Sequence, residues 1–167
     1  MKSALLGRQG HSTIESITRA LAAGLVGTFV TGGALAMKNA IGVLPDVHVP
    51  QTLSTVIGTP GNVMAGGIAF FVIGTFMLSL AYAVISPRIP LRSPVIKGVL
   101  FGFAVWLTIM LIVMPVAGAG FFALHRSAAV PAAHLLLALL YGLVIAMMYA
   151  SGSRELTMSP RQRSRPS

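Results

Sequence analysis

The sequence predicts an all-α membrane protein with four transmembrane helices in a compact bundle. Three observations predict it. Runs without any acidic or basic residue cover Ala20–Met37, Val63–Pro87, Gly98–Leu124 and Ser127–Ser153. Each holds enough residues to cross a hydrocarbon core of roughly 30 Å, which takes about 20 in a helix. The composition agrees, with 55% hydrophobic and only 9% charged residues, against about 25% charged in an average soluble domain. The charges also flank the apolar runs, where they orient helices instead of solubilising a surface.

Each element has a local reason. Residues 1–16 are polar and predict a short cytoplasmic segment on the membrane surface. The first span is expected over 17–37. The connection Lys38–Asn62 contains Pro45, Pro50 and Pro60, which interrupt regular helix. The stretch from Gln51 to Ile57 between the last two prolines fits one or two helical turns in the interface. The second span is expected over 63–85. Ser86-Pro87-Arg88-Ile89-Pro90 then makes a tight turn, because two prolines forbid a continuous helix. The third span is expected over 94–116, and the Gly118-Ala119-Gly120-Phe121-Phe122 run after it ends the helix. The fourth is expected over 131–150, with Pro131 suited to a first turn. Residues 151–167, rich in Ser, Arg and Pro, predict a disordered basic tail near anionic lipid.

Charge sorts the two sides. Alternating spans put Lys2, Arg8, Arg19, Arg88, Arg92, Lys97, Arg154, Arg161, Arg163 and Arg165 on one side, with Glu15 and Glu155. Only Lys38 and Arg126 face the other side, with Asp46. Lys and Arg favour the cytoplasm, so both termini are expected there, with the protein in a bacterial inner membrane. The net charge of +9 is therefore read as topology. A nucleic-acid partner would want a folded basic face with stacking aromatics, and the sequence shows none. An A-x-A site at Ala34-Leu35-Ala36 resembles that of a cleavable signal. The preceding stretch is long for one, however, and it contains Glu15, so the first run is read as a retained span.

Small residues four apart mark every span. The first carries Ala20, Gly24, Thr28, Gly32 and Ala36, and the second carries Gly66 and, two steps of four on, Gly74. The third carries Gly98 and Gly102, and the fourth Ala138, Gly142, Ala146 and Ala150. Such residues let helix backbones approach in lipid, where dispersion replaces the hydrophobic drive. The first helix is expected to be central. A faint repeat relates Phe70-x3-Gly74 to His134-x3-Ala138 and the glycines of the first helix to those of the third. It predicts two hairpins of the same orientation.

The run Val113-Met114-Pro115-Val116-Ala117-Gly118-Ala119-Gly120-Phe121-Phe122 resembles a family of small four-helix bacterial inner-membrane proteins, catalogued only as a domain of unknown function. The turn from Ala83 to Pro90 and the Leu44-Pro45-Asp46 lead into an interfacial helix are similar too. The likeness covers roughly residues 17–150 and implies fold and location without an activity. Helices two and four of that family tend to carry a His four residues before a small residue. His134 with Ala138 fits this pattern, whereas the matching place on the second helix is Phe70.

Candidate chemistry is sparse. No Asp, Glu, Lys or Arg lies within an uncharged run, which argues against proton coupling or voltage sensing. Cysteine is absent, so thiolate metal sites and disulfides are excluded within this chain. Asp46, His48, His125 and His134 fall toward one side and carry metal-ligand chemistry, but their spacing is not diagnostic. The methionines read as flexible packing. Trp106 falls mid-span, where it is expected to pack against a helix or a partner. No nucleotide loop, nucleophile elbow or carboxylate pair is present. The sequence therefore predicts neither an enzyme nor a cofactor. It predicts an accessory or assembly subunit that packs on a membrane partner or on itself. The rival is a small-solute path lined by Thr28, Thr31, Ser79, Tyr82 and Thr108.

Overall fold

The computed structural model describes residues 2–42, 48–123 and 129–155, with side chains from Ile14 to Ser151. Helix α1 runs over Lys2–Ala40 and α2 over Val49–Val56. Three more long helices follow: α3 (Val63–Arg88), α4 (Pro94–Val116) and α5 (Ala129–Glu155). Four helices are long and apolar enough to cross a membrane, and among the described residues there is no strand. The protein is an all-α, multi-pass membrane bundle.

Several boundaries differ from the sequence reading. The first helix starts at Lys2 and not near residue 17, so its 39 residues extend about 58 Å, well beyond a bilayer core. Polar side chains at its start do not oppose a helix that leaves the membrane. An Arg19–Glu15 pair at 3.7 Å, one turn apart, sits on this emerging part. Helix α5 likewise begins two residues before Pro131 and continues past Ala150 to Glu155. Pro131 is tolerated because the first-turn N–H groups have no intrahelical partner. The rest of the expected tail, residues 156–167, lies outside the described residues.

Two helices widen mid-span. In α3 a π segment covers Ile73–Leu78, and in α4 another covers Ile109–Val113. Such turns occur mostly as local interruptions of α-helices. Beyond α4 the chain turns sharply. Gly118 and Gly120 take φ of 75°, and Phe122 and Ala123 follow at 54° and 52°. The last two are strained for residues with a Cβ. Packing holds them there, with Ala123 fully buried and the Phe122 ring 5.8 Å from that of Trp106.

In space the long helices follow the order α3, α1, α5, α4. Helix α1 packs on both α3 and α5, and α5 packs on both α1 and α4. Two crossings rest on glycine. A Cβ on Gly24 would lie 2.5 Å from Ser79 Cβ and 2.7 Å from the Thr75 carbonyl oxygen, while Gly74 lies against the Thr28 side chain. At the other crossing, Gly98 and Gly102 face Gly142 and Ala138, and Cβ atoms there would lie 2.6 and 2.5 Å from backbone carbonyl oxygens. The two hairpins thus use corresponding positions, Gly24 with Thr28 and Gly98 with Gly102, in the same way. The small-residue stripe of α1 is not uniformly engaged. Ala20, Gly24 and Thr28 are buried, Gly32 has only an ordinary 3.7 Å contact with Phe70, and Ala36 is exposed. At 3.6 residues per turn, a spacing of four drifts by about 40° per step, which carries the stripe off the contact.

Overpacking a backbone contact typically costs about 1–3 kcal/mol or more. Gly24→Leu and Gly102→Leu should therefore each lower the unfolding midpoint in mild detergent by the equivalent of at least about 2 kcal/mol. Gly67, with nothing within 4 Å of its added Cβ, is the control. Gly67→Ala should leave the midpoint unchanged or raise it by up to about 1 kcal/mol. Equal sensitivity at all three glycines would contradict the packing described.

Candidate functional site

The arc does not close between its end helices. α3 and α4 make no extended contact; they meet at the end where the chain turns between them. There the Tyr82 and Phe101 rings stack edge-on with centroids 5.1 Å apart, and Lys97 Nζ donates to the Ser86 carbonyl at 2.8 Å. At the opposite end, α2 lies over the gap. It packs tightly on α3, with Gly66 against the Pro50 carbonyl, and its Val49 packs against a cluster that joins Met110 and Met114 of α4 to Val130 and Ala133 of α5. Between these closures lies a cleft of about 800 Å3 that faces the membrane sideways. Its rims are formed by Ile73 and Met77 of α3 and by Leu100, Ala104 and Thr108 of α4.

The wall is overwhelmingly apolar, and its polar groups are unevenly placed. Toward the turn end it is built from Ala81, Ile85, Ile89, Leu100 and Phe101. Toward the α2 end it includes Thr28, Thr31, Thr52, Thr108, His134 and Tyr141. Most of these are satisfied within the protein. Thr28 Oγ1 donates to the Gly24 carbonyl at 2.8 Å, Thr52 Oγ1 to His48 at 2.9 Å and Thr108 Oγ1 to Ala104 at 2.9 Å. His134 Nδ1 lies 2.9 Å from the Val130 carbonyl oxygen, so that nitrogen carries the proton. The Tyr141 hydroxyl crosses to the Gly74 carbonyl in the π segment of α3. Lipid offers no water to a displaced carbonyl, so this bond suits the widened turn. Thr31 differs. It is 5% exposed, and its Oγ1 is buried without a hydrogen-bond partner.

These placements decide what the predicted residues can do. Ser79 and Tyr82 do not join the threonines. Ser79 Oγ donates to the Thr75 carbonyl inside the α1–α3 crossing, and Tyr82 is buried between Phe101 and Tyr149. The expected polar path is therefore not assembled. Gly98, Gly102 and Trp106 make contacts within the chain. Trp106 Nε1 donates to the Pro131 carbonyl at 2.9 Å, and its ring lies beside Phe103 and Phe122. Of the metal candidates, His48 is exposed at the start of α2 and His134 is buried. Asp46 and His125 lie outside the described residues. Among the described residues no group of three metal-ligating side chains comes together.

The sequence profile of a family of unknown function, DUF6789, matches residues 14–158. The chain belongs to this family. The match takes in all four spans, the α3–α4 turn and the strained Gly118–Ala123 reversal. Comparison with curated proteins and with solved structures finds no match. What a DUF6789 protein of this kind offers chemically is a lateral apolar cleft, capped by α2 and pinned at the α3–α4 turn.

The cleft wall depends on the Tyr141 bond. Interhelical hydrogen bonds in membranes average about 0.6 kcal/mol and reach about 1.7. Tyr141→Phe should lower the unfolding midpoint in detergent by the equivalent of about 0.5–1.5 kcal/mol. Thr108→Val, which removes only a bond to its own helix, should cost less. A Tyr141→Phe protein as stable as the parent would remove the bond from the account.

Proposed function

We propose that this protein is a non-catalytic accessory component of the bacterial inner membrane, with both termini in the cytoplasm, and that it holds a hydrophobic partner along the α3–α4 opening. The observation that carries the reading is the cleft. A wall whose polar groups, Thr31 apart, return to neighbouring carbonyls presents mostly hydrocarbon. It neither polarises a reacting bond nor solvates a passing ion, and the spans bring no charged side chain to it. A small-solute path fits this wall poorly for the same reason. The basic excess on the side of the termini supports the cytoplasmic orientation through the positive-inside rule.

Because the chain lacks cysteine, single cysteines report sidedness cleanly. Arg92→Cys, in the α3–α4 turn, should resist a membrane-impermeant maleimide on intact cells, and Thr59→Cys, beyond α2, should react. The reverse pattern would overturn the orientation. For the accessory role, tagged protein taken from native membranes in mild detergent should carry a partner in reproducible stoichiometry. A solitary product, coupled with solute flux in liposomes, would replace the accessory reading with transport.

A further inference from the structure

We propose that the cleft is a binding site for a neutral single-chain lipid with a carbonyl oxygen in its head. The tail would run toward the α3–α4 turn and the head would lie at Thr31. The proposal rests on the reading of the α3–α4 opening as the binding side, and it names the occupant.

Size argues first. The cleft holds about 800 Å3. The cavity lies within the roughly 300–1,000 Å3 range of small-ligand pockets.

Polarity argues next. A helix side or a bare alkane calls for no gradient along the wall, yet the cleft has one. Ala81, Ile85 and Leu100 line one end, and Thr31, Thr52 and His134 line the other. An amphiphile lying in the cleft takes the direction that this gradient sets. Thr31 then supplies the specific contact. Its hydroxyl is a donor enclosed in a low-dielectric wall without an acceptor, a state that costs free energy until an acceptor arrives. Its place on α1, nine residues before Ala40, puts it about 14 Å from that helix end. A charged head at this depth would need a counter-charge, and no Asp, Glu, Lys or Arg lines the cleft. The head is therefore neutral and accepts a hydrogen bond, as a carbonyl does.

The test uses the full chain in phosphatidylcholine nanodiscs, with methyl palmitate carrying a diazirine in its chain as the probe. Labelling should saturate and map to both rims, Met77 of α3 and Ala104 of α4. Unlabelled methyl palmitate should compete about twofold to tenfold better than hexadecane, the ratio expected for one hydrogen bond. Thr31→Val should erase that ratio while keeping or raising the unfolding midpoint, and Ala104→Trp should block labelling by filling the mouth. Labelling that never saturates, or that spreads over outward residues such as Ile68 and Ile112, would mean surrounding lipid only and would overturn the proposal. So would equal competition by the two chains in the parent protein. A co-purified protein that cross-links into the opening and excludes the probe would overturn it too, yet keep the accessory role. Saturable, Thr31-dependent labelling of a protein that purifies alone would do the opposite.

Discussion

Backbone approach at glycine holds this protein together. In lipid, burying one apolar side chain against another gains little, because the acyl chains it replaces are as apolar. What remains is close contact, and close contact requires missing side chains. Gly24 supplies it between α1 and α3, and Gly98, Gly102 and Gly142 supply it between α4 and α5. The facing parts of α3 and α4 carry Phe70, Met77, Leu100 and Phe101 instead. No glycine contact joins α3 to α4, so the arc stays open where the glycines stop.

The second constraint is the treatment of polar atoms. Hydroxyls are common in the spans, but several bend back to a carbonyl one turn earlier, as at Thr28, Ser79 and Thr108. A threonine that does so presents its methyl group to the surroundings. The cleft is therefore drier than its residue names suggest. Tyr141 and Trp106 are used differently. Each spans two helices and ends on a carbonyl, Gly74 in one case and Pro131 in the other. They fix the spacing of helices that dispersion alone would leave free to slide.

Much of the architecture was legible. Uncharged runs gave four spans, and flanking prolines marked the start of α4 and the turn after α3, because bilayer thickness and the missing N–H of proline act locally. Family membership was legible in the Val113–Phe122 run. The site was less so. Four-residue spacing pointed to Gly24, Gly98, Gly102 and Ala138, but not to which helix each would meet. It overstated Gly32 and Ala36, which the helical drift turns away. The cleft left no periodic trace, since a gap between two helices is a property of their separation. The π segments, the Tyr141 bond and the unsatisfied Thr31 hydroxyl depend on a turn widening or a rotamer choice, which composition does not encode. Ser79 and Thr31 look alike as hydroxyls in a span, yet one is sealed in a crossing and the other lines the cavity.

The pin at the α3–α4 turn has a mechanical consequence. Lys97 on Ser86 and Tyr82 on Phe101 join the two helices directly at one end, whereas α2 links them at the other through Val49. Any change in the width of the mouth is then a rotation about the turn end, with the helices as arms. An arm of 26 residues is about 39 Å long, so a tilt of 5° moves its far tip by about 3 Å. The tip of α3 carries α2 with it, through the tight packing at Gly66. The width of the mouth is therefore set by two contacts of unequal kind, a direct one at the turn and one relayed through α2.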